Sequence, residues 1–171
     1  MKKIVKLIFP LISIILLTNC SGYEPIFSSK NLKFNIANYL IEGDKILGKK
    51  IYYKLNSLSQ STKKDKDAKN IDVLINVSKE KKATVKNNAG KILEYKITLN
   101  TKINIKDFVT DENILDQNFL YSMSYNVQEQ HSETIELEER SIDIMIENTY
   151  QDLLVKLSQY ISTEWLQRVT K

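Results

Sequence analysis

The longest regular pattern in the sequence is an alternation of apolar and polar residues between Leu93 and Ile105. One side of this pattern is formed by Leu93, Tyr95, Ile97, Leu99, Thr101, Ile103 and Ile105. Because successive side chains of a β-strand point to opposite faces, a period of two predicts a long strand over residues 91–106 with one buried face. Such a strand requires other strands beside it and a second layer that covers its apolar face.

Three further segments have the pattern of strands. Apolar residues alternate at Ile71, Val73, Ile75 and Val77, and again at Leu115, Phe119, Tyr121, Met123, Tyr125 and Val127, with Gln117 as the exception. A shorter alternation predicts a first strand over residues 32–36. Residues 87–90 (Asn-Asn-Ala-Gly) tolerate positive φ and predict a hairpin turn, and residues 110–113 predict a second turn.

Two segments have the period of a helix instead. Leu47, Ile51, Leu55 and Leu58 form one stripe of a helix that Asp44 can cap. A second stripe predicts a helix of about 35 residues after Ser132. It comprises Ile142, Met145, Ile146, Thr149, Leu153, Leu157, Ile161 and Trp165. The glutamates of its first turns, including Glu138 and Glu139, are explained by the helix dipole. The polar residues 59–70 predict a loop.

These elements follow one another as β-α-β-β-β-α. The order predicts an α+β fold in which a mostly antiparallel four-stranded sheet is covered on one face by two helices. Folding alone does not explain why the other face of the sheet is polar.

The amino terminus has the pattern of a secretory signal. Three lysines precede a run over residues 7–17 in which only Ser13 is polar. This run is shorter than the roughly 20 apolar residues of a spanning helix and suits a signal peptide. Residues 17–20 (Leu-Thr-Asn-Cys) resemble a bacterial lipobox, although Asn19 departs from the Gly, Ala or Ser usual at that place. The alternative is an uncleaved anchor followed by a buried cysteine.

The lipobox implies a boundary after residue 19. Residues 1–19 are then the signal peptide, 20–30 a lipidated start and tether, and 31–171 a single domain. Cys20, the only cysteine, would carry a diacylglycerol and an N-acyl chain, and no other cofactor is expected. Removal of Lys2, Lys3 and Lys6 lowers the net charge from +4 to +1, which argues against a nucleic-acid partner. Ser21 favours transport to the outer membrane by resemblance to lipoproteins sorted in Gram-negative bacteria.

The residues suggest binding rather than catalysis. His131 is the only histidine, and it lies in a polar segment that is typical of a solvated loop. The sequence has no G-x-S-x-G, no phosphate-binding glycine loop and no C-x-x-C, so we expect neither an enzyme nor a metal site.

Lysines concentrate near the tip of the predicted hairpin. Lys79, Lys81, Lys82, Lys86 and Lys91 are opposed there only by Glu80. They would attract phosphates or anionic sugars. Alternatively, they protect an exposed strand from edge-to-edge aggregation.

Several of these features together resemble one family. Residues 20–27 (Cys-Ser-Gly-Tyr-Glu-Pro-Ile-Phe) resemble the C-G-[FY]-x-P-L-Y start of the lipopolysaccharide-assembly lipoprotein family LptE (also RlpB), in its alphaproteobacterial form, with Ser21 as an extra residue. Residues 124–127 (Ser-Tyr-Asn-Val), the acidic stretch and the long helix after them are similar to that family's closing strand and helix.

The resemblance implies a location and two partners. Members of the family plug the outer-membrane barrel LptD from the periplasmic face, anchored by acyl chains in the outer-membrane lipid, and are thought to bind lipopolysaccharide through basic residues near the hairpin. In this sequence those residues correspond to Lys81, Lys82, Lys86 and Lys91. The alternative is a lipid-anchored, periplasm-facing carrier or an adaptor for another envelope complex.

Overall fold

The computed structural model describes residues 32–62 and 68–169. Its elements are β1 (Phe34–Gly43), α1 (Lys45–Thr62), β2 (Lys69–Lys86), β3 (Ile92–Asp107), β4 (Asn113–Asn126) and α2 (His131–Val169). The strands lie in the order β1-β2-β3-β4, with β1 parallel to β2 and the other two pairs antiparallel. The predicted α+β fold is therefore confirmed, including its element order and its mostly antiparallel sheet.

The junction between β1 and α1 combines two local signals. Gly43 has a φ of 70°, and the next residue, Asp44, accepts hydrogen bonds at its Oδ1 from the backbone N–H groups of Ile46 and Leu47, both at 3.1 Å. The glycine supplies a left-handed turn, and the aspartate satisfies two N–H groups that have no partner within the helix. Helix α1 then leads into β2, which is parallel to β1, as strands joined through a helix commonly are.

The core lies between one sheet face and the two helices. Helix α1 packs on β1 and β2, and α2 packs on β4 and β3. Most residues of the predicted stripes are buried, although Leu93 near the start of β3 is 41% exposed. The buried residues include Ile51 and Leu55 of α1, Ile75 and Val77 of β2, Ile97, Leu99, Ile103 and Ile105 of β3, and Met145, Ile146 and Leu153 of α2.

Several predicted boundaries were wrong. Strand β1 continues to Gly43, well beyond residue 36, and the predicted loop at 59–70 is shortened from both sides by α1 and β2. The second turn begins earlier, because Asp107 is followed by turn residues 108–110. His131 is the exposed first residue of α2 rather than a loop residue. The predicted signal peptide (1–19) and tether (20–30), with Cys20, lie outside the described residues, as do the side chains of Ile161 and Trp165.

Candidate functional site

The lysines singled out in the sequence lie on a part of β2 that has one strand partner. Pairing between β1 and β2 ends at Gly43 and Val77, so residues 78–86 of β2 pair with β3 alone. We call residues 78–99, which comprise this part of β2, the turn and the first half of β3, the distal hairpin. Its free edge lies along β2, where the lysines are concentrated.

One face of the distal hairpin is joined to α2 by a charged cluster. Glu138 of α2 accepts a hydrogen bond at Oε2 from Lys81 Nζ at 2.5 Å and from the Tyr125 hydroxyl at 2.8 Å. Lys79 Nζ lies 3.8 Å from the other carboxylate oxygen. The ammonium of Lys81 also lies 4.3 Å from the ring centroid of Tyr95, within the range of a cation–π contact. We refer to these five side chains as the Glu138 clamp.

The protonation behaviour of the clamp reflects these contacts. Burial alone would raise the pKa of Glu138, but hydrogen bonds from Lys81 and Tyr125 and the charges of the two lysines hold it below its usual value. Burial alone would lower the pKa of Lys81, but its hydrogen bonds to Glu138 and Tyr125 raise it above the usual value. Both shifts favour the charged pair. The ammonium of Lys81 is therefore bound to Glu138 within the folded domain.

The opposite face of the distal hairpin carries a different set of polar groups. Lys82 lies directly opposite Lys96 in the β2–β3 register, and its Nζ is 2.8 Å from Glu80 Oε1. Thr84 Oγ1 donates to Glu94 Oε1 at 2.6 Å. The side chains of Lys82 and Glu80 are 69% and 60% exposed, so this ion pair is screened by water and contributes little to stability.

The tip of the hairpin is preorganised and amphipathic. Asn87 Oδ1 accepts hydrogen bonds from the N–H groups of Ala89 and Lys91 at 3.0 and 2.9 Å, and Gly90 has a φ of 81°. The predicted turn at residues 87–90 is therefore confirmed. Lys86 and Lys91 flank it, exposed and without an ion pair to any described residue. Beside them Val85 and Leu93 are 44% and 41% exposed.

The four candidate lysines therefore lie on one hairpin but not on one face. Lys81 points toward α2, Lys82 toward the outer sheet face, and Lys86 and Lys91 flank the turn. Sequence reasoning assigned Lys96 only to the polar side of a strand and Glu138 only to the helix dipole. The odd and even numbering of Lys81 and Lys82 already places their side chains on opposite faces. The contact with Glu138, which is 57 residues away from Lys81, has no local signal.

The described residues include neither a cluster of metal-binding side chains nor a membrane-spanning helix. Within residues 32–62 and 68–169, no group of three His, Cys, Asp or Glu side chains could hold a metal ion. None of the helices in this same part of the chain is both long enough and apolar enough to cross a membrane. The only histidine, His131, is exposed at the start of α2.

Comparison with known proteins identifies structures with a similar fold. No protein-family model and no curated protein sequence matches this chain. The solution structure of uncharacterized lipoprotein B from Nitrosomonas europaea matches with a TM-score of 0.56 and 13% identity, over 77% of this chain and 86% of that one. A crystal structure from Caulobacter crescentus, of a protein described there as a candidate lipoprotein, matches with a TM-score of 0.53 and 10% identity, over 75% and 91% of the two chains. At these identities the similarity is one of fold.

Proposed function

We propose that this chain is a lipid-anchored outer-membrane protein of the lipopolysaccharide transport machinery. In this proposal it acts without catalysis, as the plug and assembly partner of the barrel LptD, and it contacts lipopolysaccharide. The observation that carries the proposal is that a sequence with a lipobox-like segment at Cys20 has the fold of lipoprotein B from Nitrosomonas europaea. The resemblance of residues 20–27 to the start of the LptE family supports the same assignment.

The outer face of the sheet supports a role inside a barrel. Hydroxyls and amides form pairs on this face: Thr98 and Ser122 are hydrogen-bonded at 2.9 Å, and the Asn104 amide donates to Asn113 at 2.9 Å, although Leu120, two residues before Ser122, is 64% exposed. These groups cannot contribute to an apolar core. The lumen of an outer-membrane barrel is polar, so a polar sheet face is compatible with it.

The tip of the distal hairpin supports contact with an anionic amphiphile. Lys86 and Lys91 are available there, and Val85 and Leu93 add exposed apolar surface. Lys82 and Lys96 extend the basic surface onto the outer face. Lipopolysaccharide combines phosphates with acyl chains, which matches this combination. We assign Lys81 to the clamp instead, because its ammonium already binds Glu138.

The first experiment isolates the native complex. The full chain with a carboxyl-terminal tag is purified from solubilised outer membranes of its own host or a close relative. We expect one large barrel protein to co-purify in a one-to-one ratio. Purification of the chain without any barrel would favour the lipid-anchored carrier. Co-purification with a different envelope complex would favour the adaptor.

The second experiment tests the lysines. The triple variant Lys82→Gln, Lys86→Gln, Lys91→Gln should bind lipopolysaccharide about tenfold more weakly at low salt, since each exposed charge contributes about 0.5 kcal/mol. The matched control replaces Lys45, Lys49 and Lys156, which are exposed on the helices, with Gln. It has the same net charge and should bind normally. Unchanged binding by the hairpin variant, together with increased aggregation, would assign these lysines to edge protection.

A further inference from the structure

The turn between β3 and β4 exposes two adjacent apolar side chains. Phe108 is 49% exposed and Val109 is 80% exposed, and neither belongs to the core. Large apolar side chains at the tip of a turn contribute nothing to the packing of the sheet. Their exposure has a cost in water that burial against a partner surface would remove.

The backbone holds these two side chains outward in one conformation. Asp107 Oδ1 accepts hydrogen bonds from the N–H groups of Val109 and Thr110 at 2.9 and 3.0 Å. The Asp107 backbone closes the turn through hydrogen bonds of 2.9 Å to Asp111 and to Glu112. Lys106 and Asp111 form an ion pair at 2.9 Å. A turn constrained in this way loses little conformational entropy when its apolar side chains are buried by a partner.

The turn lies at the end of the domain where the described chain begins. The N–H of Phe108 donates to the carbonyl of Asn70 at 3.0 Å, and the N–H of Lys69 donates to the carbonyl of Lys33 at 3.2 Å. Leu32, the first described residue, therefore lies near this turn, and the residues before it are attached at this end of the domain. The twelve residues from Cys20 to Leu32 span at most about 40 Å when extended. The tip of the distal hairpin lies at the other end of β3, about 50 Å away at about 3.3 Å per residue.

We propose that Phe108 and Val109, at the end of the domain that remains outside the barrel lumen, insert into the headgroup region of the phospholipid bilayer. This inference rests on the proposed acylation of Cys20, which would keep this end of the domain close to the bilayer and raise the effective concentration of the turn at its surface. Aromatic and aliphatic side chains bind well in the headgroup region of a bilayer. The charged residues beside the turn, Lys106, Asp107, Asp111 and Glu112, sum to −2, so attraction to lipid phosphates cannot hold the turn at the surface. The contact is therefore apolar, and salt should not weaken it.

The test uses single-tryptophan variants of the full chain, made in a Gram-negative host and reconstituted into vesicles of phosphatidylethanolamine and phosphatidylglycerol. Trp165, the only native tryptophan, is replaced with Phe throughout. Test variants carry Phe108→Trp or Val109→Trp. The control variant carries Leu120→Trp on the outer sheet face, where the native leucine is 64% exposed. Acylation of Cys20 is verified by intact mass in each sample.

We expect the emission of both test variants to shift to shorter wavelength and to lose about half its intensity on vesicles with brominated acyl chains, because a side chain roughly 5–10 Å into the boundary reaches them. The control should not respond, and 0.5 M salt, at which the Debye length is about 4 Å, should not reverse the quenching of the test variants. Acylated Cys20 without quenching at Phe108 and Val109 would overturn this inference alone. A blue shift without quenching would show that protein covers the turn, which also overturns it. An unmodified Cys20 would contradict the proposed anchor and this inference together.

Discussion

At the scale of single residues, Gly43 has the strictest requirement in the described chain. Its φ of 70° disfavours any side chain, and a Cβ added there would lie 2.1 Å from the carbonyl oxygen of Val77. Gly90 has a similar φ of 81° but faces open space. We expect Gly43→Ala to lower the free energy of unfolding by more than about 3 kcal/mol, and Gly90→Ala by only the 1–2 kcal/mol or so of a left-handed residue. Urea unfolding of both variants measures this difference in the free energy of unfolding. Equal losses would show that a backbone shift relieves the contact between the new Cβ at residue 43 and the Val77 carbonyl oxygen.

Glu138 makes stability depend on pH. Its pKa in the folded state is depressed, so the clamp contributes stability above the unfolded value of about 4.3 and loses it as pH falls through the folded value. We expect Glu138→Gln to cost about 1 kcal/mol at pH 7 and progressively less as pH falls below about 4.3. Glu136→Gln is the control, because Glu136 is 69% exposed and forms an ion pair with Arg140 one helical turn away. Thermal unfolding from pH 3 to 7 measures both. A loss that does not vary with pH would argue against an ionic role for Glu138.

At the scale of elements, β3 shows one polar exception on its buried face. Thr101 is fully buried, and its hydroxyl has no hydrogen-bond partner among the described residues. Thr101→Val keeps the shape and removes an unsatisfied polar atom, so it should stabilise the protein by about 1 kcal/mol. The control Thr98→Val lies on the outer face, where Thr98 is bonded to Ser122, and should be neutral or slightly destabilising. Denaturant midpoints compare the two, and destabilisation by Thr101→Val would indicate a partner for this hydroxyl.

The sequence shows the regular periodicity of these elements, but it does not show at which residue each of them begins and ends. The alternation of β3 and the stripe of α2 were predicted because residues 97–105 of β3 and 142–157 of α2 each bury one face. The second half of β1 was missed because Tyr39 and Leu40 are both about half exposed, so no alternation marks it. Its strand geometry comes from pairing with β2, which is a tertiary contact. The end of α1 was missed because residues 59–62 are polar, although Ser59 is buried near β1 and its Oγ accepts a hydrogen bond from the N–H of Ile36.

At the scale of the whole molecule, the sequence predicted which faces are apolar but not which strands are neighbours. The order β1-β2-β3-β4 and the parallel pairing of β1 with β2 depend on how α1 crosses between them. The same limit applies to the candidate site. Local spacing located the lysines on the hairpin, whereas the separation of Lys81 from Lys86 and Lys91 depends on α2 packing beside β4 and presenting Glu138.

A plug and a surface adaptor differ in how many sides of the molecule a partner contacts. A barrel wall surrounds its plug, whereas an adaptor is expected to bind through one patch. A photo-crosslinking amino acid is placed, one at a time, at three exposed positions: Asn100 on the outer sheet face, Tyr53 on α1 and Ile144 on α2. If the chain is a plug, all three positions should crosslink to the same large outer-membrane barrel in living cells. The buried position Met145 is the control and should give no crosslink to a partner, because its side chain is enclosed by the core. Crosslinks from one side only would favour the adaptor, since no enclosing wall would then contact the sheet and both helices together.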